Sequence, residues 1–236
     1  MMAVRAPFLS VIIPVYNEGD RLLTFIQHVL VQMGKENQVI VVDGGSDDGS
    51  IQQLKVQSQD LINLDVISVS KGRALQMNAG ATLAKADNLL FLHADTVLPD
   101  SVLTQLFDFS TSTSEWGRFD VRLDNSALPY KIISWFINNR SKLTSIATGD
   151  QAIFVRRDTF EKINGYAEQL LMEDIDLSVR LKKKSKPYCI NALVTTSARK
   201  WEREGVLNTI WLMWKLRVAY AFGVSPEKLE KIYYDR

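Results

Sequence analysis

Two side chains that can bind a metal ion stand close together in "NLLFLHADT", where an apolar run typical of a buried strand ends in His93 and Asp95. A hard divalent cation that carries a diphosphate is commonly held by one or two carboxylates together with phosphate oxygens and water. Asp95 is therefore the candidate metal ligand, with His93 as a second candidate. The alternative is that Asp95 only caps the turn that leads to Pro99, as Asp often does.

Polar residues also follow the other apolar runs near the amino terminus. Asp43 ends "QVIVVD" and precedes two glycines; these, including Gly45, permit a positive φ or a close approach of the backbone to a ligand. Arg73 can bridge phosphate oxygens with its planar fork of donors, Tyr16 can stack on a nucleobase, and Glu18 can fix its loop. Each has a plainer interpretation. Asp43 could be a turn residue, Arg73 a surface arginine, Tyr16 a residue at the edge of the core, and Glu18 a charge that favours the start of a helix.

A third group of acids follows the apolar "QLLM", where Glu173 and Asp174 begin "EDIDLSVR". The helix dipole favours carboxylates at the start of any helix, and Asp176 and Arg180, four residues apart, can simply pair. A carboxylate at the edge of a cleft can also take a proton from a hydroxyl nucleophile, so this pair includes a candidate general base. Taken alone, the motif favours the helix-start interpretation.

Two further segments offer groups that could line the acceptor side of a site. Gly149 and Asp150 precede the apolar run "QAIFV", and "SARKW" supplies the cation Arg199 and the aromatic Trp201. All four residues fit a plain loop or surface equally well. They become candidates only in combination with the other motifs.

The composition excludes several classes of protein. With 236 residues, 46% of them hydrophobic, and a net charge of +1, the chain is typical of a globular protein without the basic stripe that would predict a nucleic-acid partner. Cys189 is the only cysteine, so no internal disulfide can form; with only two histidines, a zinc site or a Cys/His nucleophile is not expected. We therefore expect a reducing, cytoplasmic location. "FLSVIIPV" lacks a signal-peptide cleavage site and is interpreted as the first strand.

The elements that must position these residues alternate along the first half of the chain. Apolar, β-branched runs predict strands, and apolar residues at three- and four-residue spacings predict helices. We predict strands at 9–15, 38–43, 64–69 and 88–93, with helices at 22–30, 49–58 and 72–86. This alternation is typical of a doubly wound α/β fold with a mostly parallel sheet, in which ligands bind beyond the carboxyl ends of the strands.

The second half of the chain is less regular. We predict strands at 116–123 and 151–157 and a helix at 130–143, and no linker or repeat divides the chain, so one domain is expected. The segment 206–224 is apolar nearly all round, which usually means a helix buried in the core or between two subunits. Lys215 and Arg217 near its centre argue against a transmembrane span but leave shallow membrane contact open.

The order of the motifs is more specific than any one of them. "SVIIPVYNE", "VIVVDGGSDDGS", "GRALQMNAG", "LLFLHADT", "GDQAIFVRR" and "MEDIDLSVRL" resemble, in sequence, the inverting GT-A glycosyltransferases of family two over almost the whole chain. "HADT", "GDQ", "MEDIDL" and "SARKWEREG" look most like a small branch of that family associated with arsenosugar biosynthesis. The resemblance implies a GT-A fold with one mostly parallel central sheet, flanking helices and a C-terminal helical extension.

The resemblance also implies a role for each matching residue. It assigns the nucleotide to the positions that match the family's first three junctions, which are Pro14, Tyr16, Glu18, Asp43 and Arg73, with Gly45 beside them. It assigns the metal on the diphosphate, Mn²⁺ or Mg²⁺, to Asp95. It makes Asp174 the base, with Glu173 beside it. The nucleotide-binding half is then 1–110, the acceptor and catalytic half 111–200, and the helical segment 201–236.

Two departures from the family pattern accompany the resemblance. His93 replaces the first aspartate of the Asp-x-Asp motif, and an imidazole suits Mn²⁺ better than Mg²⁺. Gly44 stands where many members carry a second Asp. The expected activity is sugar transfer from a nucleotide sugar, with UDP taken from family habit, to a small-molecule or lipid-linked hydroxyl acceptor. The alternative functions are a sugar-1-phosphate nucleotidyltransferase and a non-catalytic nucleotide-sugar-binding protein. A homodimer through 206–224 is also possible.

Overall fold

The computed structural model describes residues 6–59 and 61–234. The described strands are β1 Leu9–Val15, β2 Gln38–Asp43, β3 Leu64–Ser68, β4 Asn88–Phe91, β5 Thr96–Val97, β6 Trp116–Leu123, β7 Phe154–Arg156 and β8 Tyr188–Thr196. The described helices are α1 Arg21–Met33, α2 Ser50–Gln57, α3 Arg73–Leu83, α4 Val102–Thr111, α5 Leu128–Thr144, α6 Arg157–Lys162, α7 Glu173–Leu181, α8 Arg199–Glu204, α9 Val206–Ala221 and α10 Pro226–Tyr234, with a 3₁₀ turn at Gly149–Gln151.

The described strands form one sheet in the order β3-β2-β1-β4-β7-β6-β8-β5. The first four strands along this order are parallel, and β7 runs antiparallel to both of its neighbours. On the far side β6 and β8 are parallel, and the short β5 is antiparallel to β8. The α/β class with a single central sheet flanked by helices is confirmed, and the sheet is mixed beyond β4.

Both faces of the sheet are covered because β1 alternates its apolar side chains between two layers. Val11 and Ile13 pack on the face covered by α1, whereas Ile12 packs on the face covered by α3. At Gly80 of α3 a Cβ atom would lie 2.5 Å from Cγ2 of Ile12. Only glycine therefore lets α3 approach the sheet this closely, which fixes the loop before α3 over the ends of β1 and β2.

Several predicted boundaries differ from the structure. β4 ends at Phe91, so His93 lies in the following loop, and the predicted strand 151–157 is reduced to Phe154–Arg156 after a 3₁₀ turn. After the turn at Pro99, α4 begins at Val102. The strand Tyr188–Thr196 was not predicted, because its exposed and buried residues do not alternate regularly and its pairing with β6 contains a register shift.

Within the described part of this chain, only one face of α9 is buried in the core, so the prediction of a core helix is wrong for its other face. Thr209, Leu212 and Leu216 are buried, and the two leucines pack with Leu229 of α10. The opposite face is exposed, including Trp211 and Trp214 at 64% and 65% of their surface. Within the described residues, no helix is both long and apolar enough to cross a membrane.

Candidate active site

The loops that follow β1 and β2 are joined by hydrogen bonds at the carboxyl edge of the sheet. The amide of Asn17 donates to Ser46 Oγ at 2.9 Å, and the Asn17 side chain exchanges hydrogen bonds with Asp47. The amide of Gly19 donates to Asp48 Oδ2 at 2.7 Å. Asn17 has a φ of 53°, a strained value that these contacts hold in place. The first two junctions thus form one preorganised rim.

Asp43 anchors this rim from the end of β2. Its carboxylate is buried and accepts hydrogen bonds from the amide and hydroxyl of Ser46 and from the hydroxyl of Ser68. Gly45 has a φ of 87°, which favours glycine, and a Cβ there would meet no atom within 4 Å. The rim therefore leaves open space above Gly45, next to a fixed carboxylate.

Gln76 is a positioning residue that the sequence analysis did not single out. Its buried amide donates to the carbonyl oxygens of Val15 and Val42, at 2.8 and 2.7 Å, and so ties α3 to the ends of β1 and β2. Its side chain also lies 3.2 Å from the position of a Cβ on Gly44, so an aspartate there would need this amide to move. The available signal was a glutamine on the inward face of a helix that follows a polar junction.

His93 contacts Asp150. The imidazole Nδ1 lies 3.5 Å from Asp150 Oδ1, and the other side of the ring packs against Gly149, where a Cβ would lie 2.3 Å from His93 Cε1. Burial lowers the pKa of His93, but the hydrogen bond to Asp150 and the charges of Asp150 and Asp95 outweigh it, so its pKa is raised. Burial acts to raise the pKa of Asp150, yet His93, Arg73 and Lys200 hold it below its usual value.

Glu18, Asp95 and Arg73 share the space beside His93. Burial raises the pKa of Glu18, and the carboxylate of Asp95 raises it further, while Arg199, Arg21 and Arg73 act in the opposite direction. Arg73 begins α3 and its charge acts on Glu18, His93 and Glu173 alike. The structure thus brings together residues from the first, third and fourth junctions, as the sequence predicted for parallel strand ends.

The acidic pair at the start of α7 faces the same space. Glu173 is buried, and burial followed by the charge of Asp174 raises its pKa to about 7. Asp174 is half-buried; its Oδ2 accepts from the Gly149 amide at 2.9 Å and its Oδ1 from the Ile175 amide at 2.7 Å. These two bonds fix the carboxylate's orientation. The 3₁₀ turn thus links Asp174 to His93 and Asp150.

The C-terminal helices contribute cations to this region. Lys200 of α8 lies 3.5 Å from the ring centroid of Tyr233 on α10, and burial lowers its pKa to about 8. Burial also lowers the pKa of Arg217 on α9, against the attraction of Asp174 and Asp150. Arg217 and Lys200 were not among the predicted site residues, because only the packing of α8 to α10 brings them near the acids.

Some predicted residues stand apart from this cluster. Tyr16 is exposed with Lys71 Nζ 4.0 Å above its ring, and Pro14 is buried within β1. Trp201 packs in an apolar cluster between α5 and α9. Arg199 donates from Nε to Ser197 Oγ, although its charge reaches Glu18. Asp176 pairs with Arg180 at 2.6 Å, the structural role that its spacing predicted.

The carboxylates of Asp95 and Glu18 suit a cation that a bound ligand also coordinates. Within residues 6–59 and 61–234, no group of three or more His, Cys, Asp or Glu side chains could hold a metal ion. Asp95 is exposed and close enough to Glu18 to raise its pKa, so the two form a small negative region open to solvent. Such a donor set suits a hard cation that takes its remaining ligands from phosphate oxygens and water. The contact of His93 with Asp150 makes the imidazole the weaker candidate.

Comparisons with solved structures show the same fold. The mannosyltransferase PcManGT of Pyrobaculum calidifontis, solved with GDP-Man and Mn²⁺, aligns with a TM-score of 0.65 at 19% identity over 97% of this chain and 68% of that one. Staphylococcus aureus TarS in complex with UDP-GlcNAc aligns with the same TM-score and identity over 80% of this chain and 58% of that one. The GT-A fold expected from the motifs is confirmed.

Comparisons with sequences show the family. The O-antigen chain rhamnosyltransferase RfbN of Salmonella typhimurium is 25% identical over 215 residues, 83% of this chain and 68% of that protein. The chain spans from about a quarter to about two thirds of the length of the curated relatives it matches. The model of the family described as "Glycosyl transferase family 2" matches residues 10–163, which include the joined loops, His93 and Asp95. The chain therefore belongs to glycosyl transferase family 2.

Proposed function

We propose that this protein is a metal-dependent, inverting glycosyltransferase that moves a sugar from a nucleotide-diphosphate donor, expected to be a UDP-sugar, to a hydroxyl acceptor. The observation that carries this proposal is the Asp174 carboxylate, which accepts a hydrogen bond from the same turn that contacts His93. The charge of Arg73 acts on Glu18, His93 and Glu173 around it. The motifs "HADT", "GDQ" and "MEDIDL" are the basis for proposing the branch associated with arsenosugar biosynthesis.

The proposed reaction is a single displacement with Asp174 as the base. Asp174 takes the proton of the acceptor hydroxyl while that oxygen attacks the anomeric carbon. The new glycosidic bond forms as the bond from the anomeric carbon to the diphosphate oxygen breaks, and the nucleoside diphosphate leaves with the bonding electrons. Attack from the opposite face inverts the anomeric configuration. The amides of Gly149 and Ile175 hold the carboxylate ready for this role.

The donor is assigned to the carboxyl edge of β1, β2 and β4. Asp43, fixed by Ser46 and Ser68, faces the open space above Gly45 and is assigned to the nucleoside. Tyr16 and Pro14 are assigned to its other side. Arg73 and Glu18 are assigned to the diphosphate side of the site. Mn²⁺ or Mg²⁺, held by Asp95 with His93 as the second candidate ligand, would neutralise charge that develops on the departing diphosphate.

The acceptor is assigned to the opposite side of the region. Gly149 and Asp150 of the 3₁₀ turn are assigned to it, and Arg199 and Trp201, which stand apart from the cluster in this structure, are proposed for its margin. In this proposed division, 1–110 binds the donor, 111–200 supplies the base and acceptor contacts, and 201–236 is the helical C-terminal segment. Glu173 has a pKa of about 7, so it is partly protonated near neutral pH. Its protonation state is proposed to affect how readily the neighbouring Asp174 accepts a proton.

The experiment that tests the donor assignment is thermal stabilisation by UDP, GDP, dTDP and CDP, each with Mn²⁺, Mg²⁺ or a chelator. The proposal predicts stabilisation by one nucleotide that needs the metal and is lost in Asp95→Ala. Asp100→Ala removes an exposed carboxylate five residues away and serves as the matched control. No metal-dependent stabilisation by any nucleotide would contradict the proposal.

The two alternative functions make different predictions. A sugar-1-phosphate nucleotidyltransferase would need a glycine-rich loop with a basic residue after β1, whereas the loop here reads "YNEGDR". A non-catalytic binding protein would bind the nucleotide sugar without turning it over. Release of free nucleoside diphosphate only in the presence of an acceptor would exclude the second alternative.

The exposed face of α5 and α9 supports a proposed contact with an anionic lipid surface. Trp135 and Phe136 on α5 are exposed, as are Trp211 and Trp214 on α9, and neither helix contains an Asp or Glu. Tryptophan and lysine side chains favour the membrane interface. A homodimer through 206–224 is the alternative. We propose the cytoplasmic face of a membrane as the working location.

A further inference from the structure

Arg140 is a half-buried arginine in which two guanidinium nitrogens are buried without an acceptor within residues 6–59 and 61–234. It lies near the end of α5, and its Nε and Nη2 atoms are buried without a hydrogen-bond partner among the described residues. Burial, followed by repulsion from Arg217, lowers its pKa to about 10, while Asp174 acts in the opposite direction. Arg140 therefore lies close to both the proposed base and a second guanidinium.

Arg118, by contrast, is a fully buried arginine with a matched partner. It pairs with Asp120 on the same strand, and Lys142 Nζ also lies 2.9 Å from Asp120 Oδ2. Asp174 does not accept hydrogen bonds from Arg140 Nε or Nη2. Its two carboxylate oxygens accept instead from the amides of Gly149 and Ile175. Donor nitrogens that are buried without an acceptor are costly, so their retention indicates a ligand that accepts hydrogen bonds from Arg140 and supplies negative charge.

The surroundings of Arg140 and Arg217 are poor in compensating charge. α5 carries Lys131, Arg140 and Lys142, α9 carries Lys215 and Arg217, and neither helix contains an acidic residue. Arg217 is attracted by Asp174 and Asp150, the same two carboxylates that border the proposed acceptor side. The charge of Asp174 thus acts on both guanidinium groups, which belong to different helices.

We propose that the acceptor carries an oxyanion, a phosphate or a carboxylate, which Arg140 and Arg217 bind while the acceptor hydroxyl faces Asp174. This inference rests on the proposed function and names the chemical class of its acceptor. A guanidinium group offers paired donors that match the oxygens of a phosphate or carboxylate. A neutral acceptor is disfavoured, since its binding would leave the two buried nitrogens of Arg140 without an anionic acceptor.

The test is calorimetric binding of a small phosphate monoester to protein already saturated with Mg²⁺ and the nucleoside diphosphate that binds it. Saturation blocks the donor site, so binding reports a second anion site. The probe is glycerol 3-phosphate, and glycerol is its neutral counterpart. We expect glycerol 3-phosphate to bind at least tenfold more tightly than glycerol, and Arg140→Gln and Arg217→Gln each to weaken it at least tenfold.

Each arginine has a matched control on its own helix. Lys131→Gln on α5 and Lys215→Gln on α9 each remove one exposed cation and are expected to leave both ligands unchanged. Arg140→Lys keeps the positive charge but removes the paired donors of the guanidinium group, so it is expected to bind glycerol 3-phosphate with intermediate affinity. It is also expected to remain folded if Arg140→Gln does not. Nucleotide affinity is expected to be the same in all five variants.

Vesicles of phosphatidylcholine with and without phosphatidic acid distinguish the two sources of the phosphate. Competition of the vesicles with glycerol 3-phosphate would identify a lipid headgroup, and its absence would identify a soluble acceptor. The inference is overturned if glycerol 3-phosphate binds no better than glycerol, or if the arginine variants bind it as the wild type does. If no nucleotide binds at all, the proposed function fails instead, and the same variants are compared without nucleotide.

Discussion

The proposed donor side and the proposed acceptor side of the site are built differently. At the ends of β1 and β2, the carboxylate of Asp43 and the loops around Asn17 and Ser46 are held by hydrogen bonds within the protein. On the acceptor side, Arg140 has buried nitrogens without a partner, and α9 exposes two tryptophans. The first surface is complete without a ligand, whereas the second retains cations and aromatic groups that a ligand or another surface would satisfy.

The largest effect is expected at the base. Asp174→Asn should lower turnover about 10²–10⁴-fold, because an amide cannot take the acceptor's proton. Nucleotide affinity should change little, since the donor contacts lie on the other side of the site. Initial rates of nucleoside diphosphate release, compared with the exposed control Glu168→Gln, check this. Turnover within threefold of the wild type would show that Asp174 is not the base.

Removing the hydrogen bonds by which Gln76 joins α3 to the sheet should give the largest decrease in the free energy of unfolding. Gln76→Leu would leave the carbonyl oxygens of Val15 and Val42 without their donor, at about 1–3 kcal/mol for each buried group. The free energy of unfolding from denaturant titration measures this, with the exposed Gln53→Leu as the control. A change below 0.5 kcal/mol, a threshold typical of surface substitutions, would mean that Gln76 does not hold the donor rim.

The contact between Gly149 and His93 links the two sides. Gly149→Ala would place a Cβ 2.3 Å from His93 Cε1 and should displace the imidazole or the turn that holds Asp174, destabilising the protein by about 1–3 kcal/mol and lowering turnover. Combining it with His93→Ala removes the obstructing ring. Recovery of stability in the double variant is expected; an additive further loss would contradict the contact.

Glu173 should make the acceptor side sensitive to pH. Its pKa is raised from 4.5 to about 7 in the folded protein, so its burial becomes increasingly unfavourable as pH rises through that interval. Glu173→Gln should therefore match the wild type in stability below pH 4.5 and exceed it above pH 7, by on the order of 3 kcal/mol. Thermal unfolding across this range measures the difference. A gain that appears only at acidic pH would reverse the assigned sign.

The smallest effect on stability is expected on the exposed face of α9. Replacing Trp211 and Trp214 by serine should change the free energy of unfolding by about 0.5 kcal/mol or less for each residue. Binding to vesicles that contain anionic lipid should nevertheless fall. Co-sedimentation compares this variant with Leu61→Ser, an exposed apolar residue far along the chain. Equal sedimentation of both would contradict the membrane proposal.

The sequence predicted the donor side better than the acceptor side for a physical reason. Asp43, Arg73 and Asp95 follow parallel strands directly, so the local pattern of strand and junction already places them at one edge. Arg140 and Arg217 are interior residues of helices, and only tertiary packing brings them to Asp174. The strand Tyr188–Thr196 was not predicted because its sequence does not alternate regularly between apolar and polar residues. Its pairing with β6 makes it a strand.

The division into a donor side and an acceptor side is tested most directly by titrating nucleoside diphosphate and Mn²⁺ into Asp95→Ala and Asp174→Asn by calorimetry. Metal-dependent affinity is predicted to fall at least tenfold in Asp95→Ala and to remain within about twofold of the wild type in Asp174→Asn. Equal losses in the two variants, or no loss in Asp95→Ala, would contradict the assignment of the donor to the strand ends and of the base to the opposite side.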